Sequence, residues 1–185
     1  MNKYLGLDLS LTHTGIWVLN GAANDFHALR CMKLRGPQRL DWIERQLDEI
    51  LDQHPDIRHA GIEGYSYSST NRAESIGELS GVIRLNLYRR RIPYLVVPPS
   101  TLKKFVTGHG HAEKRDVIAA INERFGTEVT DDNVADAGGL ALFVDAYRRN
   151  GEGYEKHQRD CLKKAEAFGT RSRRSLAPRL LKVKR

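Results

Sequence analysis

Cysteines and long apolar runs are the two features that this sequence most clearly lacks. Only Cys31 and Cys161 occur among the 185 residues, and because neither belongs to a CxxC pair, a disulfide framework and a structural zinc finger are both disfavoured. No apolar run reaches the length of a membrane span, and Asp8 interrupts the first apolar stretch too early for a signal peptide. With a mean hydropathy of −0.52, we expect a soluble cytoplasmic protein with no membrane partner and two buried or incidental thiols.

Acidic residues are absent from residues 171–185. The whole sequence has 30 Lys+Arg against 23 Asp+Glu, and this tail holds the entire surplus of seven positive charges. Such a tail is typical of sequence-independent binding to DNA phosphates, and seven contacts would steepen the salt dependence of binding by about 6. A targeting signal or a contact with a membrane surface is the alternative. The candidate DNA contacts in the tail include Arg171, Arg173 and Arg174.

The spacing of apolar residues predicts one mixed α/β domain followed by an extension. The predicted strands cover residues 4–8, 16–19, 26–34, 59–62 and 93–97. The predicted helices cover residues 37–51, 73–91, a short segment capped by Ser100, residues 114–125, and a last core helix capped by Thr130 or Asp131. This order favours a five-stranded mixed sheet flanked by helices over residues 1–150. Residues 151–185 are predicted to form a linker, a peripheral helix over 154–168 and the basic tail.

Acidic residues end or interrupt apolar segments at four places where burying a charge is costly. Asp8 ends the first strand, Glu63 follows the fourth, and Asp132 and Asp136 lie four residues apart on the last core helix, where both can face the same point. Asn133, three residues before Asp136, can also face it. Converging carboxylates are compensated well by a hard divalent cation, which predicts Mg²⁺ or Mn²⁺. Such a cluster can hold two ions on one phosphodiester.

Each of these acids also has a simpler interpretation. An Asp at the end of a strand is most often a turn residue, and Asp131 and Asp132 can serve only as helix caps. Glu63 is harder to explain in this way, because a buried strand leads through it into a loop. The joint pattern favours a functional role.

Four segments carry a resemblance to a known family. Residues 6–15 (GLDLSLTHTG), 62–64 (IEG), 108–114 (GHGHAEK) and 132–137 (DNVADA) resemble, in this order, the motifs of RuvC-type Holliday junction resolvases. The DLSLT of the first segment is similar to the version in phage-encoded enzymes, so that branch looks closest. The resemblance covers residues 3–148 and would place the protein in the host cytoplasm if a phage encodes it.

The resemblance implies a fold, an activity and a set of residues. It implies an RNase H-like fold, a homodimer, and symmetric metal-dependent nicks across a four-way DNA junction that leave 5'-phosphate and 3'-hydroxyl ends, with two ions per active site. Asp8, Glu63 and Asp136 match the family's metal-binding acids. Where the family usually has Asp or His, this sequence has Asn133, so the fourth ligand stays open between Asn133 and Asp132.

Other residues are candidates for binding DNA. Lys103 and Lys114 match two family lysines near the scissile phosphate, which makes Lys114 a candidate catalytic residue beside the three acids. Lys104 is a weaker candidate, for which solvated surface charge is the favoured interpretation. The polar loop after Glu63 offers Tyr65 or Tyr67 for stacking on exposed bases, and ends at Arg72. Packing of these tyrosines on the edge of the sheet is the alternative. The small residues of 77–83 would allow close approach of a second copy.

Two other functions compete with this one. A non-catalytic protein that binds branched DNA on the same fold is the alternative if Asn133 weakens the metal site. Residues 6–15 also resemble the phosphate-binding hairpin of actin-like ATPases and sugar kinases, but those proteins need two related lobes. Because this chain has one such hairpin and 185 residues, we expect no nucleotide cofactor.

Overall fold

The computed structural model describes residues 2–21, 23–64 and 70–169, without the side chains of residues 70–73. The described chain forms a single mixed sheet of six strands in the order β3-β2-β1-β4-β5-β6. The strands are β1 (Lys3–Asp8), β2 (His13–Leu19), β3 (Asp25–Arg30), β4 (Ile57–Glu63), β5 (Tyr94–Val97) and β6 (Glu166–Phe168). β1, β4 and β5 are parallel, whereas β2, β3 and β6 each pair antiparallel to their neighbours. The α/β class is confirmed, but the prediction of five strands is wrong.

Six helices connect and cover the described strands. They are α1 (Gly36–Gln53), α2 (Thr70–Arg89), α3 (Pro99–Thr107), α4 (Lys114–Phe125), α5 (Asp132–Arg148) and α6 (Lys156–Leu162). The cap of α3 is Pro98, so the predicted cap at Ser100 is wrong. Asp131 caps α5 by accepting hydrogen bonds from the backbone N–H groups of Asn133 and Val134, at 3.0 and 3.3 Å.

The sheet separates two apolar cores, because successive side chains of a strand point to opposite faces. In the first core, Leu5 and Leu7 of β1 pack with α1 and α2. In the second core, on the other face, Tyr4 packs with α3, α4 and α5. α5 is buried along most of its length and contacts β1, β2 and β4. The central helix of the second core is therefore also the helix that carries Asp132 and Asp136.

Two strand glycines determine how close α5 comes to the sheet. A Cβ atom at Gly6 would lie 1.8 Å from the carbonyl oxygen of Ala137, and one at Gly15 would lie 2.0 Å from that of Asn133. Any larger residue would push the helix away, since real atoms do not approach so closely. The first turns of α5 thus lie directly on β1 and β2.

The segment after residue 150 differs most from the prediction. The expected helix over 154–168 is wrong in extent, because α6 ends at Leu162 and β6 follows as an edge strand on β5. The rings of Tyr94 and Phe168 stack across that pair with centroids 5.1 Å apart. A strand of three residues is too short to show the alternation of apolar and polar side chains that identifies a strand in a sequence. β6 forms because the edge of β5 offers unpaired backbone groups. The division of the chain at residue 150 stays a prediction.

Both cysteines are free thiols and are buried, as expected. Cys161 of α6 packs in the second core together with Tyr154, whose hydroxyl donates a 2.6 Å hydrogen bond to Asp145. Within the described ranges, no helix is long and apolar enough to cross a membrane. The basic tail over residues 171–185 lies outside the described residues.

Candidate active site

The topology of the sheet brings the predicted acids to one edge. β1 and β4 are parallel neighbours with Leu7 opposite Ile62, so Asp8 and Glu63 both lie at the carboxyl ends of their strands. Because α5 lies on Gly15, directly beside Asp8 in the β-ladder, its first two turns meet the same edge. Asp136 is therefore added to the two strand acids from the helix above them.

Charge at this edge is poorly compensated. Burial, then the neighbouring acids Glu63 and Asp136, raise the pKa of Asp8, which is 7% exposed, well above its usual range. Burial and the charge of Asp136 raise the pKa of Glu63 to about 7. Burial and the charge of Asp132 raise the pKa of Asp136 to about 6. Repulsion among Asp8, Glu63 and Asp136 contributes to these shifts, which places their carboxyl groups close together.

Asp132 lies at the rim of this cluster and is ion-paired. The Lys114 ammonium donates to Asp132 Oδ2, and this bond raises the pKa of Lys114 and lowers that of Asp132. The Lys114 side chain is 75% exposed and the Asp132 side chain 33% exposed. Asp132 thus has a cationic partner that stabilises its charge, whereas Asp8, Glu63 and Asp136 have raised pKa values.

Asn133 is held by the backbone of β2. Its side-chain NH₂ donates to the carbonyl oxygen of His13, and its backbone N–H donates to Asp131. The amide oxygen is the one side-chain atom of Asn133 left to accept a cation. Asp132 and Asn133 therefore present different chemistry at adjacent positions, a carboxylate paired with a lysine and a neutral amide.

The remaining predicted residues fall into three groups. Lys103 of α3 lies near the site, since its positive charge lowers the pKa values of Glu63 and Asp136 and so partly offsets the effect of burial. Lys104 is exposed on the same helix, and its charge acts on the Cys161 thiol instead. Tyr65, Tyr67, Arg171, Arg173 and Arg174 lie outside the described residues, and the Arg72 side chain is not described.

The structure also identifies residues that the sequence analysis did not single out. Thr14 Oγ1 donates to the carbonyl of Ser10 at 2.7 Å and accepts from the Ser10 N–H at 3.2 Å, so the two residues hold the turn after Asp8. His13 supplies the carbonyl that orients Asn133, and its charge lowers the pKa of Asp132. All three residues lie within the 6–15 segment, and membership of that segment was the sequence feature that could have identified them.

The donor set suits a divalent cation. In the ranges that the structure describes, no three His, Cys, Asp or Glu side chains already form a group that could hold a metal ion. The raised pKa values of Asp8, Glu63 and Asp136 nevertheless show a deficit of positive charge, because carboxylates this close repel one another unless a cation lies between them. Oxygen ligands of this kind are those that hard divalent cations prefer.

A mixed sheet between helices, with acids gathered at the carboxyl edge of its central parallel strands, defines a protein of the RNase H-like fold class. The model of the family described as "Crossover junction endodeoxyribonuclease RuvC" matches residues 4–144. The chain therefore belongs to the RuvC family of crossover junction endodeoxyribonucleases, and nucleases of this family depend on metal ions.

Individual relatives agree with this assignment. A RuvC of Carboxydothermus hydrogenoformans is 34% identical over 148 residues, which cover 75% of this chain and 92% of that protein. A RuvC of Hydrogenovibrio crunogenus is 29% identical over 164 residues, covering 84% and 94%. The fold matches the solved structure "T. thermophilus RuvC in complex with Holliday junction substrate" with a TM-score of 0.71 at 21% identity, over 82% of this chain and 97% of that one. Closeness to the phage-encoded branch stays a prediction.

Proposed function

We propose that this chain resolves Holliday junctions, and other branched DNA, by symmetric two-metal hydrolysis that leaves 5'-phosphate and 3'-hydroxyl ends. The observation that carries the proposal is the convergence of Asp8, Glu63 and Asp136 on one sheet edge with raised pKa values. A solved RuvC of the same fold has a Holliday junction substrate bound, which supports four-way DNA as the substrate class. Water would be the nucleophile, with no covalent intermediate.

Asp8, Glu63 and Asp136 would hold the metal, Mg²⁺ or alternatively Mn²⁺, as two ions per active site. We propose Asp132 as the fourth ligand, because it is charged and its neighbour Asn133 already binds the His13 carbonyl through its amide. When bound, the ions would supply an activated water and stabilisation of the leaving oxygen.

Lysines would balance the charge of the phosphodiester. The Lys114 ammonium has three donors and uses one on Asp132, so it can keep that partner and still donate to a phosphoryl oxygen. Its exposure leaves it accessible to DNA. Lys103 acts on Glu63 and Asp136 from α3 and would offset negative charge that develops during cleavage.

A homodimer would match the two-fold symmetry of the junction. The exposed face of α2 supports this arrangement. A Cβ at Gly77 or Gly81 would meet no atom within 4 Å, and Leu85 and Tyr88, at helical spacing from them, are 46% and 73% exposed. Small residues followed by exposed apolar ones form a stripe on which a second α2 could pack closely. A DNA substrate also favours action in the cytoplasm, that of the host if a phage encodes the protein.

A gel assay tests this function. Purified protein is incubated with a synthetic four-way junction and with a linear duplex of the same sequence, in Mg²⁺ and in EDTA. We expect paired nicks at symmetric positions, confined to the junction and dependent on the metal. Tight junction binding without nicks in either Mg²⁺ or Mn²⁺ would instead favour the non-catalytic alternative, with Asn133 as the disabling residue.

A further inference from the structure

A basic surface lies beside the acid cluster and has no part in the function described so far. Between Asp25 and Asp41 the sequence contains no acid, but it contains the cations Arg30, Lys33 and Arg35, followed by Arg39. We call residues 30–39 the basic segment. It spans the end of β3, the connection to α1 and the first turn of that helix.

The sheet topology places the basic segment at the same edge as the acids. β1 and β3 are both antiparallel to β2, so they run in the same direction and end at the same side of the sheet. Asp8 lies opposite Gly15, Gly15 lies opposite Ala28, and Arg30 lies opposite His13. Arg30 is therefore two strands aside from Asp8 and two residues beyond it, a separation of roughly 10–15 Å at ordinary strand spacings.

Two contacts fix the basic segment against the site, and a third holds its own shape. The Cys31 N–H donates to the carbonyl of Thr12 at 3.0 Å, in the turn that follows Asp8. Arg30 lies 3.5 Å from the Asp131 carboxylate, which caps the helix that carries Asp132. Arg39 Nε donates to the carbonyl of Leu34 at 2.7 Å. The shape of the segment is thus tied to the active-site turn and to the α5 cap.

Lys33 and Arg35 are exposed, and neither forms a hydrogen bond or ion pair with the residues that the structure describes. Neutralising the acid cluster is a poor explanation for them, because neither residue is among the charges that shift the pKa values of Asp8, Glu63 or Asp136. Two unpaired cations on a fixed surface next to a nuclease site can bind the phosphates of a DNA substrate that extends beyond that site.

We propose that the basic segment binds backbone phosphates of one junction arm through Lys33 and Arg35. The contacted phosphates would lie in the arm that leaves the acid cluster on the β3 side of the sheet. The segment would orient the arm and leave the chemistry to the acids and Lys114. This inference rests on the proposed function, since it requires that DNA occupy the acid cluster.

The test compares two double variants of equal charge change. Lys33→Gln with Arg35→Gln removes the proposed contacts, and Arg58→Gln with Arg91→Gln removes two exposed cations at the amino ends of β4 and β5, on the opposite edge of the sheet. Binding of a fluorescent four-way junction is followed by anisotropy in EDTA across a salt series. The thermal midpoint of each variant checks that both still fold.

We expect the Lys33/Arg35 variant to bind at least about 10-fold more weakly, with a salt slope smaller by about 1.8, from roughly 0.9 per lost phosphate contact. The control should keep the wild-type slope. Ethylation of single phosphates along each arm should weaken binding by the wild type at one or two positions outside the cut, and those positions should have no effect on the variant.

An unchanged salt slope in the Lys33/Arg35 variant, or an equal loss in the control, would overturn the inference. A loss of affinity without a change of slope would overturn it as well, because phosphate contacts must release counterions. If the wild-type protein itself fails to bind the junction, the proposed function fails instead, so the two failures are distinguishable.

Discussion

Two clusters of acidic side chains in this molecule differ in how their charge is balanced. On the outer face of the first core, Glu44 and Asp48 of α1 accept hydrogen bonds from the Asn86 amide at 3.1 and 2.9 Å. Arg90 donates to Asp48 at 2.8 Å and to Asp52 at 2.7 Å. Every acid of this α1–α2 cluster has a donor on α2 or on Arg90, the residue that follows it.

The acids at the sheet edge have no comparable set of donors. Asp8, Glu63 and Asp136 face one another, and the positive charges of Lys103 and Lys114 only partly oppose the effect of burial. One cluster joins two helices, whereas the other keeps negative charge available for a cation. Breaking either cluster should therefore change a different property of the protein.

The largest expected effect is on cleavage. Asp8→Asn removes the charge of a proposed metal ligand and should lower junction nicking at least about 10²- to 10³-fold while junction binding persists. Its matched control is Asp48→Asn in the α1–α2 cluster, which should nick at the wild-type rate. Rates measured on a synthetic junction in Mg²⁺ compare the two. Substantial nicking by Asp8→Asn would contradict the assignment of the site.

A smaller loss is expected from Lys114→Ala. The variant lacks the cation that pairs with Asp132 and would face the phosphate, so single-turnover nicking should slow about 10²-fold. The Mg²⁺ concentration for half-maximal rate should not rise, because the four proposed ligands Asp8, Glu63, Asp136 and Asp132 are intact. Lys104→Ala, on the exposed face of α3, serves as the control. An equal effect of the two changes would argue against a specific role for Lys114.

Breaking the α1–α2 cluster should lower the stability of the protein. Asn86→Ala leaves Glu44 and Asp48 without the amide that bonds both, and Asn86 is 5% exposed. We expect a loss of about 1–3 kcal/mol in the free energy of unfolding, measured by urea denaturation. The nicking rate per folded molecule should not change. A variant as stable as the wild type would show that this network contributes little.

The smallest expected effect is a gain in stability, opposite in sign to the loss expected for Asn86→Ala. Burial and neighbouring acids raise the pKa of Glu63 from 4.5 to about 7 and that of Asp136 from 3.8 to about 6. The folded protein without metal thus binds more protons than the unfolded chain between about pH 4 and pH 7, and its stability falls as pH rises through that window. Removing one repelling charge, as in Asp8→Asn, should stabilise the protein by about 1 kcal/mol at pH 7.5 in EDTA.

That gain should shrink as the pH falls and vanish at about pH 3 or below, under the ordinary carboxyl pKa values, where the acids are mostly protonated in both states. Urea unfolding of the wild type and Asp8→Asn at the two pH values measures it, with Asp48→Asn expected to lose stability at pH 7.5. Added Mg²⁺ should raise the midpoint of the wild type more than that of Asp8→Asn. A less stable Asp8→Asn protein at pH 7.5 would contradict the charge deficit of the cluster.

Local sequence patterns by themselves determined several strands, one helix and the family of this protein. The buried segments that became β1, β4 and β5 could be recognised because each is a short apolar run, and the helix over Lys114–Phe125 was predicted with its observed bounds. The motif residues indicated the family that the comparisons confirm. These features depend on neighbours in the chain, which a sequence displays directly.

The tertiary structure decided the features that depend on partners distant in sequence. β6 exists because β5 offers a free edge, and Lys114 pairs with Asp132 because α4 and α5 pack together. The third predicted strand ends at Arg30 instead of Leu34, which leaves Lys33 and Arg35 on a connection beside the site. Strand order and helix packing bring these residues together, and only the folded chain determines their burial, their charge neighbours and hence their pKa values.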